Sequence, residues 1–162
     1  VLFSFHGLPE RHLTREDDEE HGCLMREECC DSIVATNQNC YRAQCFRTAE
    51  LIAGGLQLKR ENWSVSFQSR LGRGEWIKPY TEQKIRELAR KGLKQVTVFC
   101  PAFVSDCLET LEEIAIGCNE AFRQEGGEKL SLVPSLNADT VWVRVLTDII
   151  QDSISLGEKH LQ

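Results

Sequence analysis

The sequence predicts a doubly wound α/β fold, with a four-stranded parallel sheet and helices on both faces. Two observations predict it. Short apolar runs of strand length alternate with longer segments of helical periodicity, in the order β-loop-α-β-α-β-α-β-α. Most of those runs end where glycine or proline turns the chain away, at Gly7 and Pro9, at Pro101 and at Pro134. Strands joined through helices run parallel, and their crossovers are right-handed.

Val1–Phe5 is apolar throughout and reads as a buried strand that ends on His6. Residues 14–32, TREDDEEHGCLMREECCDS, are acidic and cysteine-rich and read as an irregular insertion. Tyr41–Leu58 reads as a helix whose inner stripe is Phe46, Ala49, Leu51, Ile52 and Leu56, with Gly54-Gly55 weakening its end. Trp63–Phe67 alternates as a strand does, with Trp63, Val65 and Phe67 on one face. The loop QSRLGRGEWIKP follows. Thr81 is placed to cap the next helix, whose inner face is Ile85, Leu88 and Ala89. Gln95–Cys100 is the third strand. A helix capped by Ser105 or Asp106 should then run to about Arg123, burying Leu108, Leu111, Ala115, Cys118 and Phe122. Leu130–Val133 is the fourth strand, and Asp139–Ile154 the closing helix.

Composition narrows function. The 162 residues suit a single domain. The net charge of -6 and the lack of a basic stripe argue against nucleic acid as a partner. No apolar run approaches the roughly 20 residues of a membrane span. The first residue is Val, already inside a strand pattern, as expected of the later half of a longer chain. Five of the eight cysteines crowd into residues 23–45. Such crowding favours a metal or cluster site in a reducing compartment over distributed disulfides, so a cytoplasmic location is expected.

In open parallel sheets, ligands bind beyond the carboxyl ends of the strands. Three loops with chemistry leave that edge: FHGLPERH, QSRLGRGEW and CPAFVSDCLETLEE. His6 at a strand end can take a proton or ligate a metal near neutral pH, although a lone histidine is more often structural. Glu109 and Glu113 are four apart and share a helix face, which is ordinarily a solvated one. The apolar stretch PAFV before Glu109 is expected to shield it and raise its pKa. Arg70 and Arg73 could meet carboxylates and Trp76 could stack on a flat ring. A mobile basic loop with a half-buried anchor fits these residues equally well.

Taken together, SFHGLPER (4–11), CFRTAELIA (45–53), FQSRLGRGEWIKPYTE (67–82), CPAFVSDCLETLEEIA (100–115) and VPSLNAD (133–139) resemble the carboxyl-terminal half of the ferrochelatases, bacterial protoporphyrin type. The stretches are in family order and span nearly the whole chain. The resemblance implies a two-domain enzyme that inserts ferrous iron into protoporphyrin IX to make haem, with no organic cofactor. Residues 1–162 would be one of its α/β domains, and the amino-terminal domain the missing partner. It also implies roles. His6 would take pyrrole protons and contact the incoming iron. Glu109 would bind metal and remove protons, and Glu113 would lie on a metal or proton path. Trp76 would line the macrocycle pocket, bordered by Gln68, Ser69 and Arg70. Cys107 stands where some relatives carry histidine.

Residues 18–41 depart from the plainest bacterial pattern as a cysteine-rich insertion. Several ferrochelatases bind a two-iron, two-sulfur (2Fe-2S) cluster through four cysteines. By that resemblance Cys23, Cys30, Cys40 and Cys45 are candidate ligands, with Cys29 as the alternative to Cys30 and His21 as a possible substitute. Structural zinc, free thiols or a disulfide remain open. Cys29 and Cys30, being adjacent, are expected to point apart. Two further readings stand beside the iron enzyme: a chelatase loading cobalt or nickel into another tetrapyrrole, and an iron–sulfur redox-sensing module on a chelatase scaffold. Peripheral membrane contact is a further possible partnership, and oligomeric state has no sequence signal.

Overall fold

The structure is a computed structural model that describes residues 1–14, 23–25 and 27–159. His21 and part of the 18–41 insertion lie outside the described residues. The strands are β1 (Leu2–His6), β2 (Ser64–Gln68), β3 (Gln95–Phe99) and β4 (Lys129–Leu132). They form one sheet in the order β2-β1-β3-β4, all parallel. Register runs from Leu2↔Ser64 to His6↔Gln68 on one side of β1, with Leu2↔Val98 and Phe3↔Phe99 on the other. The winding reverses between β1 and β3, so the crevice of such a sheet opens beyond their carboxyl ends. His6 closes β1, and the CPAFVSDC loop leaves β3 at the same edge.

The period of two sorts each strand between two cores. Phe3, Phe5, Val65 and Phe67 face α2 (Tyr41–Gly55) together with Cys45, Ala49 and Ala53. Leu2, Val96, Val98 and Leu130 face α3 (Thr81–Arg90) and the helical stretch after β3, packing on Ile85, Ala89, Ile114, Cys118 and Phe122. Burying each such large apolar side chain stabilises the fold by about 1.5–3 kcal/mol.

Several local expectations change. A short helix, α1 (Glu10–Thr14), follows the HGLP turn, in the loop expected between the first strand and the acidic insertion. The inner stripe of α2 is Ala43, Cys45, Ala49 and Ala53, while Leu51 and Leu56 are exposed. Small residues let the helix approach the phenyl-rich face of the sheet, where long side chains would hold it off. Thr81 begins α3 but does not cap it. Its hydroxyl is buried and donates to Ser66 Oγ at 2.9 Å, 2.8 Å from Ser4 Oγ. The helix after β3 starts later than Ser105 and is not uniform. It comprises α4 (Leu108–Thr110), a π-helix at Leu111–Cys118 and α5 (Asn119–Gln124). The wider π turn changes the phase. Thr110, Ile114, Cys118 and Phe122 are therefore buried, while Leu108 and Leu111 are exposed. The closing helix α6 (Thr140–Lys159) begins on Asp139, whose Oδ1 accepts from the backbone of Val141 and Trp142. No helix among the described residues is long and apolar enough to cross a membrane.

Candidate active site

His6 ends β1 half-buried, its ring between Trp76 (centroids 6.5 Å apart) and Phe103 (6.2 Å). Its Nδ1 is 2.6 Å from the Gly7 carbonyl oxygen. A carbonyl only accepts, so Nδ1 carries the proton of the neutral ring, which leaves the Nε2 lone pair free for a proton or a metal. The Gly7 amide donates to Gln68 O at 2.8 Å. A Cβ at Gly7 would stand 2.9 Å from that oxygen and 3.2 Å from Trp76 Cε3, so only glycine lets the turn lie this close to β2. Beyond it, Ile77 N donates to Leu8 O and Glu10 N to Glu75 O, which zips the HGLP turn onto the strap carrying Trp76.

Gln68 is a buried brace. Its Oε1 accepts from Ser4 Oγ at 2.7 Å and from Cys100 Sγ at 3.5 Å, and its Nε2 donates to the backbone oxygen of Glu109 at 2.5 Å. The polar set Ser4, Ser66, Thr81 and Gln68 thus carries order from the sheet to the first turn of α4. Ser69 takes a left-handed φ of 65°, which turns both its donors onto one carboxylate. Its amide donates to Glu113 Oε1 at 2.7 Å and its hydroxyl to Oε2 at 2.6 Å. Arg70 lies over the Tyr80 ring, 4.6 Å from its centroid. Trp76 Nε1 donates to Leu71 O at 3.0 Å and closes the glycine loop on itself.

Leu108, Glu109, Glu112 and Glu113 line an open hollow of about 410 Å³ beside this edge. Glu109 does not meet the expectation of a raised pKa. Its carboxyl is held below the ordinary glutamate value, chiefly by the Cys107 thiol, then by its own backbone N–H, with a further pull from His6. The PAFV loop does not cover it: Phe103 packs against His6, and Val104 is exposed. Asp106, a candidate cap, instead binds the VPSLNAD loop. Asn137 Nδ2 donates to its Oδ2 at 2.8 Å and Ser135 N to its Oδ1 at 3.2 Å. Asn137, with a left-handed φ of 50°, completes that lock, and sequence reasoning passed over it.

None of the eight cysteines forms a disulfide among the described residues. Cys29 and Cys30 do not point apart: both are buried in one 3-10 turn with sulfurs 3.6 Å apart. Cys40 lies beside Cys30 and Cys23. Its pKa is lowered by Cys30 first and then by backbone amides in the first turn of α2. Cys30 is correspondingly raised by Cys40 and by burial. Cys45 lies one turn into α2, raised to about 12 by burial. Cys29 faces Arg42 Nη1 at 3.9 Å. Among the described residues, no group of three or more His, Cys, Asp or Glu has the arrangement of a metal site.

A four-stranded, all-parallel α/β sheet with helices on both faces and an imidazole at its switch point is a chelatase-like fold. The family model for ferrochelatase matches residues 1–154. The ferrochelatase of Pseudomonas fluorescens (strain Pf0-1) is 53% identical over 152 residues, covering 93% of this chain and 45% of that protein. That of Ectopseudomonas mendocina is 55% identical over 150 residues (90% and 43%), and that of Bdellovibrio bacteriovorus 51% over 150 (93% and 44%). The chain belongs to the ferrochelatase family, and it spans less than half the length of these relatives.

Proposed function

We propose that the full-length protein inserts ferrous iron into protoporphyrin IX to form protohaem, the last step of haem synthesis, and that residues 1–162 supply the histidine-and-glutamate side of its cleft. The observation that carries this reading is the shared sheet edge: His6 ends β1 with Nδ1 engaged by the Gly7 carbonyl, and Glu109 lies in α4, tied to β2 through Gln68. Metallation exchanges two pyrrole protons for one Fe²⁺, whose water shell gives way to four ring nitrogens. His6 Nε2 is placed to accept a pyrrole proton. Glu109, kept ionised, can hold the incoming cation or take a proton onward. Glu113, clamped by Ser69, continues the acidic path along the π-helix. Trp76 and Phe103 offer aromatic walls to a flat macrocycle, bordered by the Ser69–Arg70 loop over the Gln68 brace. A tight cleft can bend the ring and expose its lone pairs, a distortion driven by binding elsewhere on the macrocycle. The opposite wall would come from the amino-terminal domain, so residues 1–162 alone should be close to inactive.

The crowding of five cysteines into residues 23–45 supports a reducing, cytoplasmic setting. The cysteine-rich segment supports a second role, a 2Fe-2S cluster held by Cys23, Cys30, Cys40 and Cys45. Three of these thiols lie near enough to influence one another through Cys40, and metal uptake would draw in the fourth as ligand and fold set each other. Bound there, such a cluster would supply a structural staple and a redox-sensitive group. Between Cys29 and Cys30, the contact with Cys40 favours Cys30.

The test uses the full-length enzyme, assayed side by side with Fe²⁺, Co²⁺ and Ni²⁺ against protoporphyrin and other tetrapyrroles. Preference for iron and protoporphyrin is expected; preference for cobalt or nickel with another ring would replace the reading by the related chelatase. Anaerobically purified protein should absorb in the visible and contain iron and sulfide. Colourless protein lacking both would remove the cluster.

A further inference from the structure

Two tethers leave the first turn of α2 for the active edge. Tyr41 Oη donates to the backbone oxygen of His6 at 2.8 Å, bridging 35 residues of sequence. Arg42 Nη2 lies 3.5 Å from Lys78 O, on the strap that carries Trp76, and its guanidinium covers the Phe46 ring at 4.7 Å. The same Arg42 reaches Cys29 with its other nitrogen, and Tyr41 directly follows Cys40. At the end of β1, the His6 carbonyl is thus fixed by a side chain from another element. His6 Nδ1 is fixed by the next carbonyl along, that of Gly7. Two successive peptide groups therefore set where the imidazole points, and Tyr41 holds the first of them by its carbonyl while Gln68 O holds it by its N–H.

We propose that Tyr41 is a positioning residue for His6, and that through it the cysteine-rich segment governs the aim of the imidazole. The proposal rests on the reading of His6 as the group that meets the substrate. Tyr41→Phe removes only the hydroxyl and leaves the ring packed, so the fold should survive while the His6–Gly7 peptide loses one of its two anchors and keeps the Gly7 N–H bond to Gln68 O. An error of a fraction of an ångström at a reacting group lowers turnover without weakening substrate binding, here by roughly 3- to 30-fold in kcat. The KM for porphyrin should stay within about twofold, because binding by the rest of the cleft is untouched.

The experiment is made on the full-length chain with histidines labelled for NMR, His6 being assigned by its loss in His6→Ala. In Tyr41→Phe the His6 ring resonance should move or broaden, kcat should fall with KM held, and the thermal midpoint should stay near that of the parent. Cys40→Ala should also move the His6 resonance, and should move it less when combined with Tyr41→Phe. Parent-like kcat and an unmoved His6 resonance in Tyr41→Phe would overturn the positioning role. So would a fall in kcat wholly matched by lost folded protein. Additive shifts in the double variant would overturn the link to the cysteines. If His6→Ala itself turns over normally, it is the reading of His6 that fails, and the Tyr41→Phe resonance still reports whether the tether holds the ring.

Discussion

Replacing Gln68 by leucine tests whether the brace beneath the site works as described. The change keeps the side chain's bulk and removes both polar ends. Ser4 loses its 2.7 Å acceptor but keeps Thr81 at 2.8 Å, so its hydroxyl is not orphaned. Glu109 O loses the donor at 2.5 Å that ties α4 to β2, and Cys100 loses a weak acceptor. One neutral hydrogen bond is worth about 1 kcal/mol and an unsatisfied partner about 1–3 kcal/mol, which puts the loss at about 2–4 kcal/mol. Urea unfolding of the full-length enzyme should show it as a lower midpoint with an unchanged slope. Iron insertion should fall between about 10- and 100-fold in kcat, because the turn that presents Glu109 is freed. The KM for porphyrin separates two roles: unchanged for a buried brace, raised for a residue that touches the macrocycle. Stability within ~0.5 kcal/mol of the parent, the scatter of neutral substitutions, together with unaltered turnover, would refute the reasoning.

Gly7→Ala should lower stability by roughly 1–3 kcal/mol, since the added carbon lands 2.9 Å from Gln68 O; a neutral result in the same urea titration would mean that the turn is slack. Ser69→Ala leaves the amide contact to Glu113 and removes the hydroxyl one, so kcat should fall severalfold with folding intact, checked by steady-state kinetics. Glu109 should titrate below an ordinary glutamate by carboxyl-resolved NMR. Cys107→Ala should raise its midpoint more than His6→Ala does, in the order of the causes. A depressed native pKa stabilises above the unfolded value and is lost as pH falls through the native one. Acid should therefore cost this contribution only below the usual glutamate range.

Where the sequence was legible, a short-range pattern carried the information. The apolar run ending on His6, the alternation in WSVSF and the proline exits placed all four strands, with bounds within a residue or so. The resemblance then singled out residues that the sheet brings to one edge. What was hidden depended on contacts far apart in sequence. Nothing in YRAQC announces a phenol reaching His6 across the sheet edge, and nothing in LETLEEIAIGC announces a π-helix that exposes two of the expected core leucines. The α2 stripe was misread in part because hydrophobicity was weighed and size was not: Cys45 and Ala53 join the expected Ala49 inside since the sheet opposite already carries the rings, and Ala43 packs on Cys29 and Cys30. Glu109 was misjudged because the apolar loop before it turns to His6 and solvent and leaves the carboxylate to a neighbouring thiol and an N–H.

The central claim is that His6 and Glu109 together perform the insertion. Its most direct measurement is the rate of haem formation from Fe²⁺ and protoporphyrin by the full-length enzyme carrying His6→Ala or Glu109→Gln, with folding verified by the thermal midpoint. The account predicts near-complete loss of turnover in each folded variant. Near-normal turnover in either would contradict it.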